Sequence, residues 1–466
     1  MAIFSSKDMD RLPRGLAPDS FLKHRFGDWV SRPWLDRAAF GSLGWYFPLS
    51  RMWAAANVAE GDPDRFAAET PFPIDRAPDG WLLEQALQGV RSAGRRYKRI
   101  QDDWERICFG GSTRAPSRLV EAELERRTAG RIWMASRGLL APLLHNDDVP
   151  RVRWETPNPE AFLAATASSL ADPPAFYAPP DPLPAVEMSH RVPGPDGWEY
   201  WLRFPSKDGD TAWAKVYEPE EHDQRLPTAI LCHGLCVESE MWGTTAGIPH
   251  ALIRQGLRVI SPEAPWHGRR MLQGRYGGEP LIATAPRGGP DLFRAALSEI
   301  AVLAGWARGQ GSHAVAIGGT SLGALTTQLA ATQAKAWPEP LRPDFLLLVT
   351  TSGSLRQVAV DSELGATFGL GEALRHAGWT DAALQALSPL TDPDDRPVMR
   401  PDRIVMVLGR EDSVTAFDEG RDLADRWRVP ADNLYIRDQG HFSAAVGVIH
   451  DDAPVRQLFE MMKRAG

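Results

Sequence analysis

Three residue types at ordered positions could together attack a carbonyl carbon. Ser321 stands at the centre of Gly319-Thr320-Ser321-Leu322-Gly323, a G-x-S-x-G pattern. An apolar run over 313–318 leads into it, and a helix-like stretch with Leu322, Leu325 and Leu329 follows directly. A serine on such a strand-to-helix turn is held in a strained backbone conformation, with its Oγ projecting at a helix N-terminus. The hydroxyl is a poor nucleophile alone and needs a base. His441, after the strand candidate 433–437 and next to Gly440, is placed in a loop that could supply it; His450 fits less well. A histidine base needs a carboxylate to fix its tautomer and stabilise the imidazolium. Asp412 follows the strand candidate 403–408 and is the choice, with Glu411 as runner-up and Asp418 too far into the next helix. Asp412 could also simply cap a helix.

A tetrahedral intermediate further requires backbone donors aimed at its oxyanion. The N–H of Leu322, next after the serine, is one. The N–H of Leu235, after the apolar run 228–232 and His233-Gly234, is the second. His233 is expected to brace this loop rather than titrate. The serine, acid and histidine occur in that chain order, 91 and then 29 residues apart.

These residues need a scaffold that gathers strand ends. Strand candidates fall at 198–204, 212–217, 228–232, 257–261, 313–318, 345–350, 403–408 and 433–437. Helical stretches at 291–308, 322–336 and 414–427 lie between several of them. Apolar strands alternating with helices indicate a parallel sheet covered on both faces, with ligands beyond the carboxyl ends of the strands. The first two strands, close in sequence, are expected antiparallel.

Before residue 173 the pattern is helical. Leu83, Leu87, Val90, Tyr97, Ile100, Trp104 and Ile107 form one apolar stripe, with Asp79 as a possible cap and Gly110-Gly111 as the stop. A second helix is expected from about 116 to 144, and short Trp-rich helices over 20–70. Arg91, Arg95, Arg96, Lys98 and Arg99 read as a solvated face, or as a contact for anionic lipid or an acidic partner. Six prolines within 173–184 read as a stiff linker that excludes helix. The domain division is therefore 1–172, a helical extension; 173–184, a linker; and 185–466, the sheet-containing domain.

With His233-Gly234, the G-x-S-x-G turn, Gly409-Arg-Glu-Asp412 and Gly440-His441-Phe in hand, residues 185–466 resemble an α/β-hydrolase. The resemblance implies an α/β fold with a mostly parallel eight-stranded sheet, no metal and no organic cofactor. It leaves residues 1–172 unassigned. Residues 354–400, between two consecutive strands, are expected to form a helical lid. Trp266 could line an acyl or leaving-group pocket, and Arg269 and Arg270 could recognise a substrate carboxylate or phosphate, or instead pair with local acid.

The expected activity is cleavage of a small-molecule or lipid-like carboxylic ester, or a thioester, through an acyl-enzyme. Transfer of the acyl group to another acceptor uses the same residues. Peptide cleavage is a third option, and a non-catalytic binding protein of the same fold is the alternative from another class.

Composition narrows the field. The 466 residues carry a net charge of −8, which argues against a nucleic-acid partner. No apolar run approaches the roughly 18 residues of a membrane span, though peripheral membrane contact is compatible with the basic helix. The first residues do not read as a secretory signal. Three cysteines make no disulfide framework and fit a reducing compartment, so a cytoplasmic location is expected. Cys232, His233 and Cys236 lack the spacing of a metal site, and Cys108 reads as core. The 17 tryptophans suit a large core, an apolar pocket or a membrane interface alike.

Overall fold

The computed structural model describes residues 32–70, 80–111, 114–144, 149–220, 225–237 and 248–465. Asp79, the expected cap, lies outside the described residues. Among the described residues four helices come first: α1 (Trp34–Ala59), α2 (Pro63–Glu69), α3 (Gly80–Cys108) and α4 (Pro116–Ala135), the last continued by a 3-10 turn over Ser136–Leu143. Part of the stretch expected as short helices is thus one helix of 26 residues. It is apolar over much of its surface, burying Phe47, Met52, Trp53, Ala55, Ala56 and Ala59 together, so no break in amphipathic pattern divides it. Leu83, Leu87 and Val90 of α3 close on Met52, Trp53 and Phe66 as the stripe requires. The basic residues of α3 face solvent, with Arg95 on Glu60 and Lys98 on Asp102.

Helix α5 (Pro159–Ala171) is followed by a single helical turn, Pro173–Phe176. The expectation that the proline run excludes helix is corrected here. Pro173 and Pro174 occupy the first turn, where the missing N–H costs nothing, and Asp172 caps it through the N–H of Ala175.

Ten strands follow: β1 (Glu187–Met188), β2 (Val192–Pro193), β3 (Trp198–Pro205), β4 (Thr211–Glu218), β5 (Thr228–Cys232), β6 (Arg258–Pro262), β7 (Val315–Thr320), β8 (Phe345–Val349), β9 (Ile404–Gly409) and β10 (Leu434–Arg437). All eight expected strands are present. The two additions are two-residue pieces antiparallel to β3, too short to carry a pattern. The sheet order is β1-β3-β4-β6-β5-β7-β8-β9-β10, parallel from β6 through β10 and antiparallel from β1 to β4 and at β4–β6.

Alternation along the strands divides the core. Ile230, Ile317, Leu346, Leu348, Ile404 and Met406 face one layer, with α7 (Gly288–Gly309), α8 (Leu322–Gln333) and the helix Phe417–Arg426 on it. Ala229, Leu231, Ala316, Leu347, Val405 and Val407 face the other, against the C-terminal helix and α6 (Ile248–Gln255). Helices α9 (Glu363–Phe368) and α10 (Leu370–His376) belong to the insertion between β8 and β9, α11 is Phe417–Arg426, α12 is His441–His450 and α13 is Ala453–Lys463.

The N-terminal helices share cores with this domain. Phe47 of α1 meets Phe368 of α9 at 4.3 Å between ring centroids. Arg51 of α1 reaches Glu279 at 3.1 Å in a buried pair. Trp104 of α3 and Leu119 of α4 pack against Trp201 and Trp213 of the β3–β4 pair. Several tryptophans fill core: Trp53, Trp104, Trp337 and Trp427 are fully buried, whereas Trp45 and Trp81 are exposed.

Candidate active site

Strand β5 lies between β6 and β7, so the chain leaves it in one direction to β6 and then crosses to β7 on the other side. Such a reversal opens a crevice beyond the carboxyl ends of the two strands. Both loops that leave there carry expected residues. The end of β5 runs into His233-Gly234-Leu235, and the end of β7 runs into Ser321.

Ser321 adopts φ 56°, ψ −120°, a region that non-glycine residues avoid. Close packing enforces it. A side chain on Gly323 would overlap the carbonyl of Cys232, and one on Gly319 would overlap the backbone of Gly323. The two glycines thus let β7, α8 and the end of β5 approach within backbone contact. The N–H of Ser321 donates to the carbonyl of Val349 at 3.0 Å, fixing the turn to β8.

The structure brings Ser321, His441 and Asp412 into one hydrogen-bonded chain. Ser321 Oγ is 2.9 Å from His441 Nε2. His441 Nδ1 lies 3.0 Å from Asp412 Oδ2 and 3.1 Å from Oδ1. With Nδ1–H donating to the carboxylate, Nε2 is left to accept the serine proton. Both the histidine and the aspartate are buried. His441 does not stand in a loop, as expected, but is the first residue of α12; Gly440 flanks it, and the turn from β10 is short enough that strand passes into helix.

Asp412 serves as a local cap and as the histidine's partner at once. Its Oδ1 accepts from the N–H groups of Val414 and Thr415 at 2.8 Å each, and Thr415 Oγ1 donates to Oδ2 at 2.7 Å. Burial alone would raise this carboxyl. The charge of His441 and the hydrogen bonds from His441, Thr415 and Val414 outweigh it and hold the group below the ordinary carboxylate value. Glu411 is exposed beside it, Asp418 is in the first turn of α11, and His450 is at the far end of α12, so none of the alternatives joins the chain. Thr415 escaped the sequence reading, although a hydroxyl three residues after a turn aspartate is a recognisable capping spacing.

Leu322 begins α8, where the first N–H groups have no partner within the helix. Gly234 is adjacent to the serine: a Cβ on it would lie 3.6 Å from Ser321 Cβ. The 233–237 loop is held by two histidines. His233 Nδ1 donates to the carbonyl of Gly234 at 2.8 Å, and Nε2 accepts from the N–H of Ala264 at 3.0 Å. His267 Nδ1 donates to the carbonyl of Pro265 at 2.9 Å, and Nε2 accepts from the N–H of Cys236 at 3.1 Å. Each ring therefore has one donor and one acceptor nitrogen and is neutral. Burial drives both below the ordinary histidine range, His267 to about 3 with the neighbouring His233 adding to the effect. His233 braces the loop as expected. His267 carries no local signal in the sequence, because its partner is 31 residues away.

Of the two roles open to Arg269 and Arg270, a contact for a substrate anion or a pairing with local acid, the structure shows the second. Arg269 holds Glu263 at 2.5 Å and lies 3.9 Å over the Trp201 ring. Arg270 holds Asp210 and Glu299 at 2.8 Å each. Both side chains are buried, Arg270 with its guanidinium on two protein carboxylates and Arg269 between Glu263 and the Trp201 ring. Trp266, at φ 66° and partly buried, packs against the core, as do Leu235, Leu281, Leu355 and Val358.

Among the described residues no three His, Cys, Asp or Glu side chains gather as a metal site requires. Burial pushes the Cys232 thiol up to about 12, so it is not a thiolate at neutral pH. No described helix is long and apolar enough to cross a membrane.

A model of the alpha/beta hydrolase family matches residues 229–466. No curated protein matches the sequence. Among solved structures the chain is similar to acetyl xylan esterase 1 from Thermoanaerobacterium sp. JW/SL YS485, at 16% identity over 66% of this chain and 96% of that one, with a TM-score of 0.44. It is also similar to a hyperthermophilic esterase from the archaeon Pyrobaculum calidifontis, at 15% identity over 66% and 91%, with a TM-score of 0.39.

Proposed function

This chain belongs to the alpha/beta hydrolase family, and on that premise we propose that it is a serine hydrolase that cleaves a carboxylic ester. The observation that carries the reading is the unbroken chain Ser321–His441–Asp412 at the sheet's reversal point. His441 Nε2 takes the Ser321 proton as Oγ bonds to the substrate carbonyl carbon. Asp412 holds the ring and stabilises the imidazolium so formed. The N–H groups of Leu322 and Leu235 receive the oxyanion; loss of one such donor costs about 10²–10³ in rate. As the intermediate collapses, the ester C–O bond breaks and His441 protonates the leaving alcohol. Water then attacks the acyl-enzyme, giving its proton to His441, and as the C–O bond to Ser321 breaks His441 returns that proton to Ser321 Oγ, releasing the acid.

An apolar acyl group suits the surroundings. Leu235 lies in the loop that leaves β5, and Leu235, Trp266, Leu355 and Val358 are partly buried apolar side chains packed against the same core. We take residues 185–466 as the catalytic unit, residues 354–400 as its lid and the preceding helices as a cover.

The test is acid release by the purified protein from aryl esters of increasing acyl length. Hydrolysis that favours apolar acyl groups and falls to background in Ser321→Ala is the expected result. Undiminished hydrolysis in Ser321→Ala, or none by folded wild type, contradicts the proposal.

A further inference from the structure

We propose that Asp36, in the N-terminal helix outside the family-matched residues, is a positioning residue for His441. This rests on the hydrolase reading above, because the group positioned is that reading's base. Helix α12 starts at His441, and the residue before it offers no side-chain acceptor to the first N–H groups of the helix. Gly440 precedes it and carries no side chain. A helix start leaves its first N–H groups without partners, and an Asp, Asn, Ser or Thr just before it normally accepts from them. Here the acceptor comes from 405 residues away in sequence. Asp36 Oδ1 accepts from the N–H of Phe442 at 2.6 Å and from that of Ser443 at 3.3 Å. Its Oδ2 accepts from Ser443 Oγ at 2.5 Å, and that hydroxyl in turn accepts from the N–H of Gly440 at 2.8 Å.

One carboxylate thus ties together the backbone on both sides of His441. Every partner is buried or partly buried, and Asp36 is itself only 7% exposed. Gly440 is required by the same contact, since a Cβ there would sit 2.5 Å from Asp36 Cγ. The rings of Phe40, one turn along α1, and Phe442 meet edge-on at 5.4 Å, so the docking has an apolar component too. The negative charge also lies at the positive end of the α12 dipole, where it is favoured. The N-terminal helix therefore completes the reactive centre: it sets where the helix carrying the base begins, and so the reach of Nε2 to Ser321.

Displacing a reacting group by about 1 Å can cost on the order of 10²-fold in rate. Asp36→Ala is expected to lower kcat by about that factor while KM stays within about threefold. Asp36→Asn, whose amide oxygen can accept from the same N–H groups, is expected to recover to within about tenfold of wild type. The low-field proton resonance of His441 Nδ1–H, shared with Asp412, is read in parallel. It should be lost or shifted in Asp36→Ala and retained in Asp36→Asn. Wild-type kcat and an unchanged resonance in folded Asp36→Ala overturn the proposal, and so does an equal loss in both variants.

Should Asp36→Ala not fold, Ser443→Ala reads the same contact. It cuts the link from Gly440 to Asp36 and is expected to lower kcat about tenfold at constant KM; no change there is equally fatal. A wild type that hydrolyses no ester while its resonance still depends on residue 36 overturns the hydrolase reading and leaves the capping role standing.

Discussion

His441→Ala is expected to lower kcat for ester hydrolysis by about 10⁴–10⁶ with little change in KM, because its imidazole moves a proton only as bonds form and break. Asp412→Asn should cost about 10⁴, since the amide retains acceptors for Val414 and Thr415 but no longer stabilises the imidazolium or holds the donor tautomer at Nδ1. The double variant should be no slower than His441→Ala alone. Residues that act as one unit are strongly non-additive, and once the base is gone its orienting partner has nothing to orient. Steady-state kinetics on the best aryl ester checks all three. Multiplying losses, or an Asp412→Asn enzyme near wild type, would mean that the hydrogen-bonded chain is not the reacting unit.

Acid should destabilise the fold from about pH 6.5 downward, through histidines buried in the neutral form. His267 is neutral in the folded protein, its value pushed down from 6.5 to about 3 by burial first and by His233 next, with Arg270 adding to the fall and the Pro265 carbonyl opposing it. In the unfolded chain the ring takes up a proton near its ordinary value. The unfolded state therefore binds more protons below pH 6.5, and stability is full above that value and lost as pH falls toward 3. From His267 alone the loss between pH 6.5 and pH 4 should be on the order of 3 kcal/mol. His233, shifted the same way, adds to it. Asp412, held low, contributes only below about the ordinary carboxylate value of 3.8, again with stability lost as pH falls. Urea unfolding between pH 7 and pH 4 measures the slope. His267→Asn, which retains an acceptor for the Cys236 N–H, should lower it by up to about 1.4 kcal/mol per pH unit. An unchanged slope would mean that the ring is charged or solvated in the folded state.

What could be read from the sequence depended on the range of the interaction. The eight long strands were legible because alternation and continuous apolar runs are local. Ser321, Asp412 and His441 were legible because each directly follows such a strand, and a sheet with one reversal point gathers strand ends from far apart in sequence. The fates of Arg269 and Arg270 were not, since Asp210 and Glu299 come from other elements and nothing near Trp266 marks the loop as closed by ion pairs. Asp36 was invisible for the same reason in its extreme form. It reads as an ordinary first-turn acid of its own helix, and only the folded chain shows that it serves another helix's start. The helical start at His441 was hidden too, because Gly440 is a weak local signal compared with a side-chain cap.

The central claim is an activated serine at position 321. Labelling of the purified protein by a fluorophosphonate probe tests it most directly, because the phosphorus centre captures a serine only when a base takes its proton. Strong labelling of wild type, abolished in Ser321→Ala and in His441→Ala, is the predicted result. A folded wild type that does not label, or labelling that survives Ser321→Ala, contradicts it.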